Sequence, residues 1–292
     1  MGRNSGKALA SGCVVAVTGG ARGIGYSTAL AFARAGAAVA IGDLAAEPTE
    51  QAAAEIAQRA GQGGTGRVIG LPLDVADADS FAKFLDRTEN ELGPLRILVN
   101  NAGIMPTGFF LDEDERMTER VIGVNLRGVI RGSRLAADRF VSRGEGHVIN
   151  IASLAGAFPF PGVATYCAAK HAVVGFTQAL HRELEGSGVD VSIVLPSLVR
   201  TELSVGANVP KWIAKVSTVY PEDVAGAVVE TARTGRPLTT VPRRVAAMLT
   251  IMSILPYRAR RVLEARTGAE RVFAQPDVAA RERYLRQLND AI

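Results

Sequence analysis

The chain has 292 residues, 48% of them hydrophobic and only 5% aromatic, with a formal net charge of +4. That is ample for a large core. No apolar run approaches the roughly 20 residues needed to span a bilayer. The charge is uneven: Arg243 to Ile292 holds ten Arg and five acids, leaving −1 for residues 1–242, which argues against a nucleic-acid-binding core.

Residues 1–12, "MGRNSGKALASG", are polar and lack a signal peptide's pattern; Gly6 stands where a myristoylation signal needs Ser or Thr. Short β-branched runs then alternate with longer amphipathic ones. Strands are expected at 14–18, 38–43, 67–75, 96–100, 147–153, 189–196 and 237–242. Helices are expected at 23–36, 49–61, 77–93, 118–144, 165–188 and 221–235, with Asp77 as an N-cap and Pro221 near a helix start. Pro72 marks a strand end or an edge. The strands are continuous apolar runs, as strands covered on both faces should be, so the fold class is α/β with a parallel sheet between helical layers. Residues 1–242 read as one domain. Residues 197–220 read as a long loop or small-helix insertion, and 243–292 as a basic helical extension.

"TGGARGIG" (18–25) lies between the first strand and first helix. Such a turn lets backbone N–H groups and a helix N-terminus approach a pyrophosphate, with Gly19, Gly23 and Gly25 where side chains would block contact. Asp43 ends the second strand, where its carboxylate can accept ribose hydroxyls and would repel a 2′-phosphate. A tight turn beside a surface Asp is the structural alternative. Arg22 pulls towards the phosphorylated cofactor. Asp43 weighs more because its charge faces the ribose directly, so NAD is expected over NADP.

"YCAAK" (166–170) places Tyr166 and Lys170 four residues apart on one helix face. A phenol titrating near 10 is a poor proton carrier at neutral pH, and a nearby ammonium favours the phenolate. Alone, the pair reads equally as a packed Tyr and a solvated Lys. Ser153 ends the fifth strand, at the carboxyl edge where such sheets bind ligands. Asn125 sits mid-helix, a poor place for Asn, where its amide could hold a water, hold a backbone kink or simply be solvated.

These motifs together resemble the short-chain dehydrogenase/reductases of the Tyr-x-x-x-Lys branch, over about residues 12–242. The matching stretches are "TGGARGIG", "LDV" with Asp74, "NNAG" (100–103), "VNLRG" with Asn125, "INIAS" ending in Ser153, and "YCAAK". The resemblance implies a Rossmann-type doubly wound sheet of about seven strands. It implies that Tyr166 is general acid/base, that Ser153 polarises the substrate oxygen, that Lys170 binds the nicotinamide ribose and lowers the tyrosine pKa, and that Asn125 holds a relay water. Cofactor contacts would come from Gly19, Arg22, Gly23, Ile24, Gly25, Asp43, Asp74, Val75, Asn101, Ala102, Gly103, Tyr166, Lys170, Pro196, Val199 and Thr201. One departure is "PSLVRT" (196–201), where Ser197 replaces the family's glycine. The family also implies dimers or tetramers.

The substrate walls are expected at 103–110, 154–162 and 197–220. Ile104, Met105, Phe158, Phe160, Val205 and Trp212, with Ser153, would form an apolar pocket for a steroid, retinoid-like or lipid-like alcohol or ketone. The same residues read equally as core. Cys13 and Cys167 fit a reducing, cytoplasmic setting, and Cys167 is expected to point off the far side of its helix from Tyr166. His147, His171 and His181 show no metal-ligand spacing and are expected to be solvated or capping. The tail is a cap over the cleft or an arm in an oligomer. Its apolar run between Arg clusters also reads as peripheral contact with a membrane surface. The leading function is hydride transfer between a nicotinamide and a carbonyl/alcohol carbon. The alternatives are a cofactor-binding regulatory or scaffold protein and a lipid-surface protein.

Overall fold

In the computed structural model, which describes residues 12–61, 67–267, 272–274, 284 and 286, the chain alternates strand and helix through nine strands. The expectation for residues 1–11, and parts of the tail beyond 267, lie outside the described residues. The elements run β1 (Val14–Thr18), α1 (Gly23–Arg34), β2 (Ala38–Asp43), α2 (Ala46–Ala60), β3 (Val68–Pro72), α3 (Ala78–Leu92) and β4 (Leu95–Asn100). There follow α4 (Glu115–Ile122), α5 (Gly128–Arg143), β5 (Gly146–Ile151), α6 (Ala164–Glu183), β6 (Val189–Pro196), β7 (Leu198–Val199), α7 (Lys211–Ser217) and β8 (Thr218–Val219). The last are α8 (Pro221–Thr234), β9 (Leu238–Val241), α9 (Val245–Ile254) and α10 (Tyr257–Thr267).

Seven strands form one parallel sheet in the order β3-β2-β1-β4-β5-β6-β9. Alternate residues of each strand feed opposite layers. Val15, Val17, Val39, Ile41 and Val99 pack against α1, α2 and α8, while Val14, Ala16, Ala40 and Leu98 pack against Phe81, Phe84 and Phe140 of α3 and α5. Both faces are therefore dry, which is why the strands carry apolar residues at successive positions. Pro72 ends β3, the edge strand, as its missing N–H requires. The strand order reverses at β1/β4, so the loops leaving those two strands diverge and open a crevice at the carboxyl edge.

Two elements differ from expectation. Helix α2 starts at Ala46, with Pro48 tolerated in the first turn. The single helix expected over 118–144 starts at Glu115 and is interrupted by a π-helical turn, Gly123–Arg127, that carries Asn125. The insertion at 197–220 contains β7, α7 and β8, with a short 3₁₀ turn at Glu202–Ser204. Among the described residues no helix is long and apolar enough to cross a membrane.

A candidate dinucleotide and catalytic cleft

The crevice above β1 and β4 opens into a cavity of about 1520 Å³. Its floor begins with the loop after β1. Gly19 has φ +65°, and a Cβ there would lie 2.8 Å from the Ala102 Cα; a Cβ on Gly25 would lie 2.0 Å from the Gly19 carbonyl oxygen. The loop is thus folded too tightly for side chains. Gly25 serves that fold rather than the cavity wall, while Gly19, Arg22, Gly23 and Ile24 line the cavity. Helix α1 starts there, at Gly23 and Ile24 of the cavity lining, with no side-chain cap on its first N–H groups, as an anion-binding N-terminus requires.

Thr18, which the sequence reading passed over, ties this loop to the next one. Its buried hydroxyl accepts the Asn101 and Ala102 N–H groups at 3.0 Å each, while Asn101 Nδ2 donates to the carbonyls of Thr18 (2.9 Å) and Gly19 (3.1 Å). A Thr at a strand end followed by Gly-Gly was the available signal. Asn100, also passed over, donates to Asn150 Oδ1 (2.9 Å), and Asn150 donates to Thr177 Oγ1 (3.0 Å), a buried polar ladder from β4 through β5 to α6.

Asp43 ends β2 and lines the cavity. Its carboxylate accepts the Ala21 N–H (3.1 Å) and the Leu44 N–H (2.9 Å). Arg22 is ion-paired with Glu202 across the cleft. Asp74, Val75, Ala102 and Gly103 continue the wall, followed by Pro196, Val199 and Thr201 at the other end. Ser197 Oγ, the departure from the family glycine, is buried beside them without a hydrogen-bond partner. An uncapped helix N-terminus, glycines without room for Cβ atoms and an acid at the end of β2 fit a dinucleotide.

At the inner end, Ser153, Tyr166 and Lys170 converge, all lining the cavity. Tyr166 is 5% exposed and Lys170 is 3% exposed. Burial pushes the Tyr166 phenol up, and a hydrogen bond with Ser153 works against that rise. Lys170 is held by a bond to the Ile151 carbonyl (3.0 Å), with its ammonium 5.7 Å from the Tyr166 ring centre. Burial brings Lys170 down to about 8. In the protein alone, burial is the largest influence on both groups.

Asn125 is fully buried. It donates to the carbonyls of Ile104 (2.9 Å) and Val121 (3.0 Å), and its Oδ1 accepts the Ile104 N–H (3.2 Å). Both amide hydrogens are bonded to backbone carbonyls. A water here can bond Asn125 only by donating to Oδ1.

On the substrate side, Ile104, Met105, Phe158, Phe160 and Trp212 line the cavity. Val205 does not; although Glu202, Leu203 and Ser204 of the turn before it line the cavity, its own side chain sits on the surface, 39% exposed. Cys167 is a core residue, 6% exposed and in the same cluster as Tyr166, and its sulfur accepts the Phe160 N–H (3.3 Å). His147 is buried rather than solvated, bonded to Ser192 Oγ (2.8 Å). His171 and His181 each bond a backbone carbonyl. Among the described residues no His, Cys, Asp and Glu cluster could hold a metal.

The tail supplies lining that the sequence reading did not assign. Val245, Met248 and Met252 of α9 contribute, as do Val272, Phe273 and Tyr284. The spacing of the α9 residues, three and then four apart, was the helical-face signal that could have found them.

The family model described as short chain dehydrogenase matches residues 13–211. The chain is 35% identical over 267 residues to "Probable oxidoreductase EphD" of Mycobacterium tuberculosis, covering 85% of this chain and 44% of that one. It thus spans under half the length of that relative. It is 36% identical over 208 residues to 2,5-dichloro-2,5-cyclohexadiene-1,4-diol dehydrogenase LinX of Sphingobium indicum, covering 71% of this chain and 80% of that one. Among solved structures, a short-chain type dehydrogenase/reductase from Mycobacterium marinum superposes with TM-score 0.69 at 29% identity, covering 79% of this chain and 94% of that one. A short-chain dehydrogenase/reductase from Burkholderia phymatum in complex with NAD shares the fold, with TM-score 0.72 at 24% identity over 83% and 93%.

Proposed function

We propose that this chain, which belongs to the short-chain dehydrogenase family, is an oxidoreductase that moves a hydride between NAD and the carbonyl/alcohol carbon of an apolar substrate, with Tyr166 as proton carrier. The observation that carries this is the convergence of Ser153, Tyr166 and Lys170 at the inner end of one cavity whose outer end is the glycine loop. In the proposed step, Tyr166 Oη takes the substrate hydroxyl proton as the adjacent carbon loses hydride, or returns it in reduction. Ser153 holds the same oxygen and, through its bond with Tyr166, holds the phenol towards it. Lys170, anchored on the Ile151 carbonyl, would hold the nicotinamide ribose and would keep positive charge beside the phenol. A bound oxidised nicotinamide would supply the hydride acceptor and a positive charge that favours the phenolate. Asn125 fixes the Ile104 backbone at the cavity wall.

NAD is preferred in this reading because Asp43 holds the ribose end and Arg22 is engaged by Glu202. The apolar substrate is supported by Ile104, Met105, Phe158 and Phe160 around the reacting end; these four, Trp212 at the rim and Ser153 are its substrate residues. The diol dehydrogenase name of one relative fits an alcohol substrate. A cytoplasmic setting, with Cys13 and Cys167 as free thiols, and a homo-oligomer belong to the same reading. The test is a panel of steroid, retinoid, aliphatic and sugar alcohols with NAD or NADP, followed at the nicotinamide absorbance. Apolar alcohols are expected to turn over with NAD, and Tyr166→Phe to lose about 10²–10⁴-fold while still binding NADH. Better turnover of sugars or with NADP, or full activity in the variant, contradicts the reading.

A second reading concerns the surface around the rim. On α9 and α10, Met248, Ile251, Ile254, Tyr257 and Val262 are exposed, and Arg243 to Thr267 carries six Arg against one acid. Apolar side chains flanked by Arg suit the interface of an anionic membrane, from which an apolar substrate could enter.

A further inference from the structure

Resting on that reading of the cavity as a substrate site, we propose that the C-terminal tail is a wall of the active site, with Phe273 and Tyr284 as specificity-determining residues. Three substrate-side loops each hold the tail by a separate contact. From the 197–220 insertion, the Asn208 N–H donates to the Val272 carbonyl at 2.9 Å. From the 154–162 loop, Phe160 meets the Phe273 ring edge to face, centres 5.7 Å apart and planes at 88°. From the loop after β4, the Met105 N–H donates to the Tyr284 hydroxyl at 3.0 Å.

Gly162 shows how close this approach is. Its φ is +85°, and a Cβ there would lie 2.3 Å from the Phe273 carbonyl oxygen. The tail backbone therefore rests on the loop where a side chain would stand. Phe273 and Tyr284 are 8% and 5% exposed, and both belong to the cluster that holds Met105, Tyr166 and Cys167. The Tyr284 phenol lies near enough to Tyr166 to help raise its pKa. A loop that merely covered the surface would not bury two aromatic side chains in the cluster that holds Tyr166.

The consequence is a ceiling over the reacting carbon. Phe273 limits bulk beside Phe160, and Tyr284 fixes Met105 on the facing wall. Exposed Trp212, Met248 and Tyr257 mark the rim on the α7–α9 side. The ligand class that fits is an apolar alcohol or ketone that is slim at its reacting carbon and carries its bulk towards α7 and α9.

The experiment has two arms on the full chain. In the first, kcat and KM are measured for linear secondary alcohols and for alcohols branched beside the reacting carbon. Phe273→Ala is expected to raise kcat/KM for the branched set at least tenfold relative to the linear set, largely through KM. Tyr284→Phe, which loses the hydroxyl that holds Met105, is expected to raise KM with kcat within twofold. The second arm needs no turnover. In a Cys13→Ser background, labelling of Cys167 by a small thiol reagent is expected to speed up at least tenfold in Phe273→Ala, with NADH affinity unchanged. Wild-type labelling rates in that variant overturn the proposal, as does faster labelling accompanied by lost NADH binding, which reports general loosening. Absence of turnover across the panel contradicts the enzymatic reading alone, and the labelling arm still decides the wall.

Discussion

Tyr166 and Lys170 illustrate how burial and pairing compete at a single side chain. Both groups are almost fully dry, and each is pushed towards its neutral form. His147 shows the same competition where no chemistry depends on it. Burial, opposed by the Asp190 charge, lowers it to about 4. The folded state then resists a proton that the unfolded chain accepts near 6.5. Stability therefore falls as pH drops through the interval from about 6.5 to about 4, and from this group alone should be about 2 kcal/mol lower at pH 5 than at pH 7. Urea midpoints of wild type and His147→Gln across that range check it; the variant should lose the slope, and parallel curves would refute the assignment. His147 was misread as solvated because a strand-opening His has no local pattern that tells whether helices cover both faces of its strand.

At the scale of elements, the π turn at Gly123–Arg127 is the feature that local pattern could not supply. The sequence showed an Asn in a poor helical position, which located the irregularity. It did not show that the side chain would take the Val121 carbonyl and both polar groups of Ile104. Asn125→Ala leaves those groups buried without partners. It is expected to cost about 2–4 kcal/mol, read as a lower urea midpoint at unchanged m. A loss below about 1 kcal/mol would mean that water replaces the amide. The glycine loop lies at the other extreme. Its spacing, its preceding strand and its following helix all lie between Val14 and Arg34, so the whole element was legible locally.

At the scale of the whole molecule, the β1/β4 switch point places the glycine loop, Asp43 and the Ser153–Tyr166–Lys170 group around one cavity. The tail adds lining from beyond residue 242, and its exposed apolar and basic residues, from the cavity rim at Met248 and Tyr257 outwards to Ile251, Ile254 and Val262, are those behind the membrane reading. Flotation with anionic vesicles tests that reading. Wild-type protein should float, and Ile251→Glu with Ile254→Glu should reduce the bound fraction at least fivefold, while neutral vesicles bind less at every salt concentration. Failure of wild type to float on anionic vesicles removes the reading.

The sequence by itself determined the strand–helix alternation, the parallel sheet between two helical layers, the glycine loop and the Tyr–Lys pair. Each of these depends on periodicity or on spacing within one or two neighbouring elements. Tertiary structure alone decided that Val205 leaves the cleft while Phe273 and Tyr284 enter it, and that Arg22 engages Glu202. It also decided that burial, rather than the Lys170 charge, governs Tyr166 in the protein alone. These outcomes depend on segments 100 or more residues apart in sequence, or on how much water the packed elements exclude, and no local pattern encodes either.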